Sequence, residues 1–136
     1  MIPAFFSGAA GAEKAATRVL IAEDEFLLRF DAAESMRRIG WEVVEVSSAD
    51  EAMELLRYRV TFDLLLTDIE MPGHADGLDL ARYVRAHHPA MKIAIMSGND
   101  GAQPIDPTLC EIFLMKPVWN VAERLVEMVE ADTSAD

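Results

Sequence analysis

The sequence predicts an α/β fold, a doubly wound five-stranded parallel sheet with helices on both faces. Three observations predict it. Short apolar runs alternate about five times with stretches of helical spacing. Most of those runs are solid blocks, as in LLL and IAIM, the pattern of strands buried on both faces. Finally, a chain of 136 residues that is 51% hydrophobic is long enough for one packed core and too short for two.

RVLIAE, from Arg18 to Glu23, is the first buried strand. Glu25 to Ile39 follows at helical spacing, with Leu27, Phe30, Ala33, Met36 and Ile39 on one broad face and Asp31, Glu34 and Arg38 toward water. Gly40 permits a left-handed cap. WEVVEV is a second, alternating strand whose valines are expected on one side. Ser48 and Glu51 form a candidate capping box for the second helix, which turns Ala52, Leu55 and Leu56 inward. FDLLLTD is the third strand and MPGHADG a breaker. Asp76 caps a third helix that ends by His88, before Pro89, and buries Leu80, Ala81 and Val84. KIAIMS is the fourth strand and EIFLM the fifth. Between them, GNDGAQPIDPTLC holds two prolines and at best a short or irregular fourth helix. Val118 to Ala131 is the last helix, with Val121, Leu125 and Met128 inward. Residues 1–17 are expected to be a flexible extension, 18–131 the folded domain and 132–136 a disordered tail.

Composition restricts function. There are 24 Asp plus Glu against 12 Lys plus Arg, a net charge of -12, which repels phosphate backbones and anionic lipid. Direct nucleic-acid and membrane partners are therefore not expected. No apolar run approaches the roughly 20 residues that span a bilayer. Cys110 is the single cysteine, so neither an intrachain disulfide nor a thiolate metal site forms; a reducing cytoplasm and a core role for Cys110 are the simplest expectations.

In doubly wound sheets ligands bind beyond the carboxyl ends of the strands. Polar residues finish four of them: Glu23-Asp24-Glu25, Asp68, Ser97 and Lys116. Carboxylates gathered in one crevice repel each other by a few kcal/mol per pair at intermediate dielectric, on the order of what a cation relieves. All donors are oxygens, which favours Mg²⁺, with Mn²⁺ as the alternative, over Zn²⁺. Such a site suits a phosphoryl group: Asp68 as nucleophile, Lys116 meeting the phosphoryl charge, Ser97 donating its hydroxyl. Taken singly, each residue has a plainer role, as a solvated helix start, a strand end or a turn lysine, and Glu25 keeps that role.

VLIAEDE, LLLTDIEMPG, DGLDLA, IMSG and FLMKPV, in this order, resemble the receiver domain of two-component response regulators, from about Arg18 to about Val129. The resemblance implies a flavodoxin-like strand order 2-1-3-4-5. It implies that Asp68 accepts phosphate from a histidine kinase or histidine phosphotransfer protein. Glu23, Asp24, Asp68 and the backbone carbonyl of Glu70 then hold Mg²⁺, Ser97 and Lys116 fill the hydroxyl and lysine positions, and Phe113 is the switch aromatic. A single-domain regulator is expected, monomeric or weakly dimeric, that signals through an unknown downstream protein or withdraws phosphate from a kinase. It is no enzyme, beyond catalysing its own phosphorylation and dephosphorylation.

Some residues depart from the family pattern. MPGHADG is one residue longer than usual, Gly98 stands where alanine is common, the Ser97 to Lys116 interval is short, and Phe113 lacks a tyrosine hydroxyl. There are two rivals. One is a receiver-like interaction module without phosphotransfer. The other is an aspartyl-phosphate phosphatase with Glu70 as general acid, disfavoured by the short chain. His74, His87 and His88 fall in a turn and at a helix end, where solvated roles are usual. Trp41 and Trp119 are expected to pack, with Trp119 a partner contact only if exposed.

Overall fold

The structure is a computed structural model that describes residues 15–98 and 106–134. Its strands are β1 (Arg18–Ala22), β2 (Glu42–Val46), β3 (Leu64–Asp68), β4 (Lys92–Ser97) and β5 (Ile112–Met115). They form one sheet in the order β2-β1-β3-β4-β5, with every neighbouring pair parallel. The doubly wound 2-1-3-4-5 order therefore stands. Val19 lies between Val43 and Leu64 in register, and Ala22 between Val46 and Thr67. Chain direction is shared, so all five carboxyl ends meet at one edge.

Alternate side chains of the central strands enter two cores. Leu20, Leu65, Ile93 and Ile95 face α2 (Ala49–Leu56) and α3 (Gly77–His87), while Val19, Ile21, Leu64, Leu66 and Ala94 face α1 (Phe26–Arg38) and α4 (Val121–Ser134). Burying each large aliphatic side chain contributes roughly 1.5–3 kcal/mol. That double burial is why the runs carry almost no polar residue before their last position.

The helices begin where sequence chemistry starts them. Ser48 accepts the Glu51 N–H, and Glu51 reaches back to the Ser47 N–H instead of that of Ser48, a displaced version of the expected box. Asp76 and Asp79 form a complete reciprocal box on α3, which buries Leu80, Ala81 and Val84 as expected. Gly40 adopts φ +92 after α1. Strand β2 splits its valines, Val44 and Val46 to one core and Val43 to the other, because a two-residue alternation cannot hold adjacent valines on one side.

In α1 the expected apolar face is wrong in part. The buried residues are Ala32, Ala33 and Met36, while Leu27, Phe30 and Ile39 are exposed. The alanines allow a close approach to the sheet, and that rotation carries the larger residues outward. Phe26 and Phe30 stack there with ring centroids 5.8 Å apart. The last helix starts at Val121 and runs to Ser134, so residues 132–134 of the expected tail are helical, and 135–136 lie outside the described residues; Val121 and Leu125 are buried and Met128 half-buried. Between β4 and β5 the described part is a 3₁₀ turn, Pro107–Leu109, capped by Asp106 through the Thr108 N–H. The rest of the expected irregular fourth helix, residues 99–105, lies outside the described residues, as do 1–14 of the expected extension. Cys110 is half-buried against the α2/α3 core, and burial raises its thiol pKa.

Candidate functional site

At the carboxyl edge of the sheet, β1 runs into Glu23, whose N–H donates to the Val46 carbonyl and whose side chain is almost wholly buried. Its Oε2 accepts the Glu25 N–H at 3.0 Å, which turns the chain into α1. Beyond β1 in the sheet, β3 delivers Asp68 and β4 delivers Ser97, both buried. Lys116 follows β5, its N–H held 2.9 Å from the Ser97 carbonyl, and precedes a cis peptide to Pro117. Four strand ends thus converge as expected.

Lys116 organises the charges. Its Nζ lies 2.8 Å from Glu23 Oε1 and 3.1 Å from Asp68 Oδ2. The other Asp68 oxygen, Oδ1, accepts the Ile69 N–H at 2.9 Å. Burial pushes the Glu23 and Asp68 carboxyls above their usual range, and the Lys116 hydrogen bond opposes the rise in both. For Lys116 burial acts downward, yet hydrogen bonds and charge from Glu23 and Asp68 outweigh it and the ammonium is raised.

Asp24 completes the cluster from an exposed position. Glu23, Asp24 and Asp68 each offer an oxygen within 4.8 Å of the others. Three carboxylates against one ammonium leave two negative charges, the charge of one divalent cation. The donor set is all oxygen, so the residues fit Mg²⁺ on charge and on hardness. A crevice of about 410 Å³ opens beside Asp68, lined also by Glu70, Ser97, Gly98 and Lys116.

Other expected residues have plainer positions. Glu25 is exposed, and the Glu70 side chain is exposed outside the carboxylate cluster. His74, His87 and His88 lie away from it, and Tyr83 packs on His87 with ring centroids 4.4 Å apart. Phe113 is half-buried against the α2/α3 core, two residues before the pairing of Ser97 with Met115 in the β4/β5 register. Trp119 is 89% exposed beside a second cavity of about 370 Å³ that also touches Glu23 and Lys116.

Two residues escaped sequence reasoning. Gly77 lies so close to the Asp68 carbonyl oxygen that no Cβ fits between them. Asp50, on α2, accepts the N–H groups of His74 and Ala75 in the loop after Asp68. The spacing of Gly77 from Asp68 offered a signal for the first; nothing local marks Asp50.

Comparison with known proteins agrees with this geometry. The family described as "Response regulator receiver domain" matches residues 19–130. The transcriptional regulatory protein PdtaR of Mycobacterium tuberculosis H37Rv is 36% identical over 103 residues, which are 74% of this chain and 49% of that protein. RcsB of Escherichia coli K12 is 30% identical over 86 residues, 60% of this chain and 39% of that protein. The chain therefore spans half or less of the length of these relatives. Among solved structures, a CheY-like receiver domain protein of Methanospirillum hungatei superposes with TM-score 0.78 at 21% identity, covering 90% of this chain and all of that one. A response regulator receiver protein of Sinorhizobium medicae gives 0.71 at 30% identity over 85% of this chain and 93% of that one. The TrrA response regulator of Thermotoga maritima, solved in complex with Mg(2+)-BeF, gives 0.73 at 23% identity over 82% and 98%. With strand order, strand-end residues and a match over residues 19–130 in agreement, this chain belongs to the response regulator receiver domain family.

Proposed function

We propose that the chain is a phosphoacceptor in which Asp68 receives a phosphoryl group from a histidine kinase or histidine phosphotransfer protein in a Mg²⁺-dependent reaction. The supporting observation is the convergence of Lys116 on Glu23 at 2.8 Å and Asp68 at 3.1 Å, beside three carboxylates that share one small volume. An Asp68 oxygen forms the bond to phosphorus as the phosphorus–nitrogen bond of the phosphohistidine breaks; the electron pair leaves with the imidazole, which takes up a proton. Lys116 and the Ser97 hydroxyl receive the phosphoryl oxygens as positioned donors, while the excess negative charge of the carboxylates is what a divalent cation would neutralise. Glu23, Asp24, Asp68 and the Glu70 carbonyl would hold Mg²⁺, or Mn²⁺ in its place. That ion, when bound, supplies neutralisation between the attacking carboxylate and the incoming phosphoryl oxygens.

The chemistry acts on the chain's own side chain, so the protein turns over no separate substrate in the manner of an enzyme. Ser97 and Phe113 act as the switch that reports the new charge across β4 and β5 to a downstream protein; without such a protein the chain serves as a phosphate sink. The setting is the cytoplasm, the acidic surface keeps nucleic acid and anionic membranes away, and the protein is a monomer or weak dimer. Acetyl phosphate with Mg²⁺ tests the reading: intact mass rises by one phosphoryl group, and both Asp68→Ala and chelation of the metal abolish the rise. An unmodified wild-type mass under these conditions overturns it in favour of an interaction module.

A further inference from the structure

We propose that Asp50 is a positioning residue for the loop between Asp68 and α3, and that through this loop it sets the affinity of the carboxylate cluster for a divalent cation. This rests on the phosphoacceptor reading. The loop leaves β3 at Ile69, whose N–H is held by the Met96 carbonyl, and rejoins the fold where the Gly77 N–H donates to the Ile69 carbonyl at 2.8 Å. Between these anchors lie Glu70, whose carbonyl would help hold the metal in the proposed site, and Gly73 to Ala75, where the loop is one residue longer than the family's usual pattern.

Asp50 holds that added length. From the first turn of α2 its Oδ2 accepts the His74 N–H at 2.8 Å and its Oδ1 accepts the Ala75 N–H at 3.1 Å. Gly73 adopts φ +118 against the same carboxylate, where any Cβ would collide with Oδ2. A single anion thus satisfies two adjacent amide donors and dictates the left-handed turn before them. Asp50 is partly exposed and contributes nothing to either apolar core, so its removal frees the loop without opening a cavity.

The test is calorimetric titration with Mg²⁺ of the full chain, its Asp50→Ala and Asp50→Asn variants, and Ser48→Ala, which removes the N-cap of the same helix and leaves the loop's hydrogen bonds in place. Asp50→Ala is expected to raise the Kd for Mg²⁺ on the order of tenfold, the usual effect of losing an outer support of a metal site. Asp50→Asn keeps one acceptor but turns an N–H₂ toward the second amide, and raises the Kd by less. Ser48→Ala lowers the melting temperature with Kd unchanged. A purely structural role for Asp50 makes both positions behave like Ser48; wild-type Kd in Asp50→Ala, or in Asp50→Asn should alanine prevent folding, overturns the proposal. Were the wild type itself to take up no Mg²⁺, the phosphoacceptor reading and this proposal would fall together. Normal wild-type uptake with unchanged variants sinks only the role of Asp50.

Discussion

Gly77 and Gly98 each lie against a residue of the site, Asp68 and Lys116 respectively, under opposite constraints. A methyl group at Gly77 would overlap the carbonyl of Asp68 and the backbone of Ile69, so the acceptor and the start of α3 must separate. At Gly98 the nearest atoms to a new Cβ are Lys116 Cδ at 3.7 Å and Cβ at 3.9 Å, ordinary contacts on a backbone that needs no positive φ. Gly77→Ala is therefore expected to cost about 2–3 kcal/mol by overpacking against main chain that cannot yield. Gly98→Ala is expected to stabilise by roughly 0.4–1 kcal/mol, through the lower entropy of the unfolded chain. Urea denaturation of the two variants checks both signs, and a destabilised Gly98→Ala would mean that Lys116 does not tolerate the contact. The alanine common in the family at this place thus has room here, and its replacement by glycine has no steric cause in the structure. At this scale the site was largely legible. Asp68, Ser97 and Lys116 each interrupt an apolar run at its end, where burial of a polar group has a cost that only function or pairing offsets. Asp50 acts by accepting backbone N–H groups 24 and 25 residues away, which no run or spacing announces, whereas Gly77 acts by its close approach to the Asp68 carbonyl, for which the spacing of the two residues is the one signal.

For the elements, strand identity was legible because both faces of the sheet are covered and every strand but the alternating edge strand β2 carries a solid apolar run. Helix orientation was less so. In α1 a count of apolar positions places Leu27, Phe30 and Ile39 inward, yet the sheet is approached through Ala32, Ala33 and Met36. Side-chain size decides here, since small residues let the helix sit close and apolarity alone does not say which of two stripes is narrower. The stability consequences separate cleanly. Met36 is fully buried, and Met36→Ala should cost about 2–5 kcal/mol, while Leu27→Ser and Phe30→Ser should stay within about 0.5 kcal/mol of wild type. Thermal unfolding of the three variants distinguishes this orientation from the one that apolar spacing suggests, under which Phe30→Ser would be the severe change. The outward stripe, with Phe26 and Phe30 stacked and Arg29 over the Phe26 ring, lies at the amino end of α1, directly after the acidic residues of the site. Helix ends were legible to within a residue or two where a side chain caps them, as at Asp76, and less so at the start of α4, which begins three residues later than apolar spacing suggests.

Across the whole molecule, a net charge of -12 and a cluster of three carboxylates make the folded state respond to protons and to divalent cations at the same place. Glu23 and Asp68 have folded pKa values above their ordinary 4.5 and 3.8, chiefly through burial. The native state therefore holds these protons more tightly than the unfolded chain does. In the absence of metal, this pair adds stability as pH falls through the window from the raised values down to 4.5 and 3.8, and withdraws it as pH rises. A bound divalent cation reverses that preference, since it needs the ionised oxygens that burial disfavours. At neutral pH and a Mg²⁺ concentration ten times its Kd, the added stability is about 1.4 kcal/mol, or roughly 4–6 °C in melting temperature for a domain of this size. The increment should shrink as pH drops through the window in which Glu23 and Asp68 take up protons, and vanish below it. Subtracting the metal-free melting curve from the Mg²⁺ curve at each pH isolates this contribution from every other titrating group, Asp106 included, because those groups act on both curves alike. Asp24→Asn removes an exposed ligand without touching the Lys116 bridge, so it should change the metal-free curve only through the loss of its repulsion on Asp68, and lose most of the increment at neutral pH. An increment that persists unchanged in Asp24→Asn, or that grows toward acid pH, would place the cation somewhere other than among Glu23, Asp24 and Asp68.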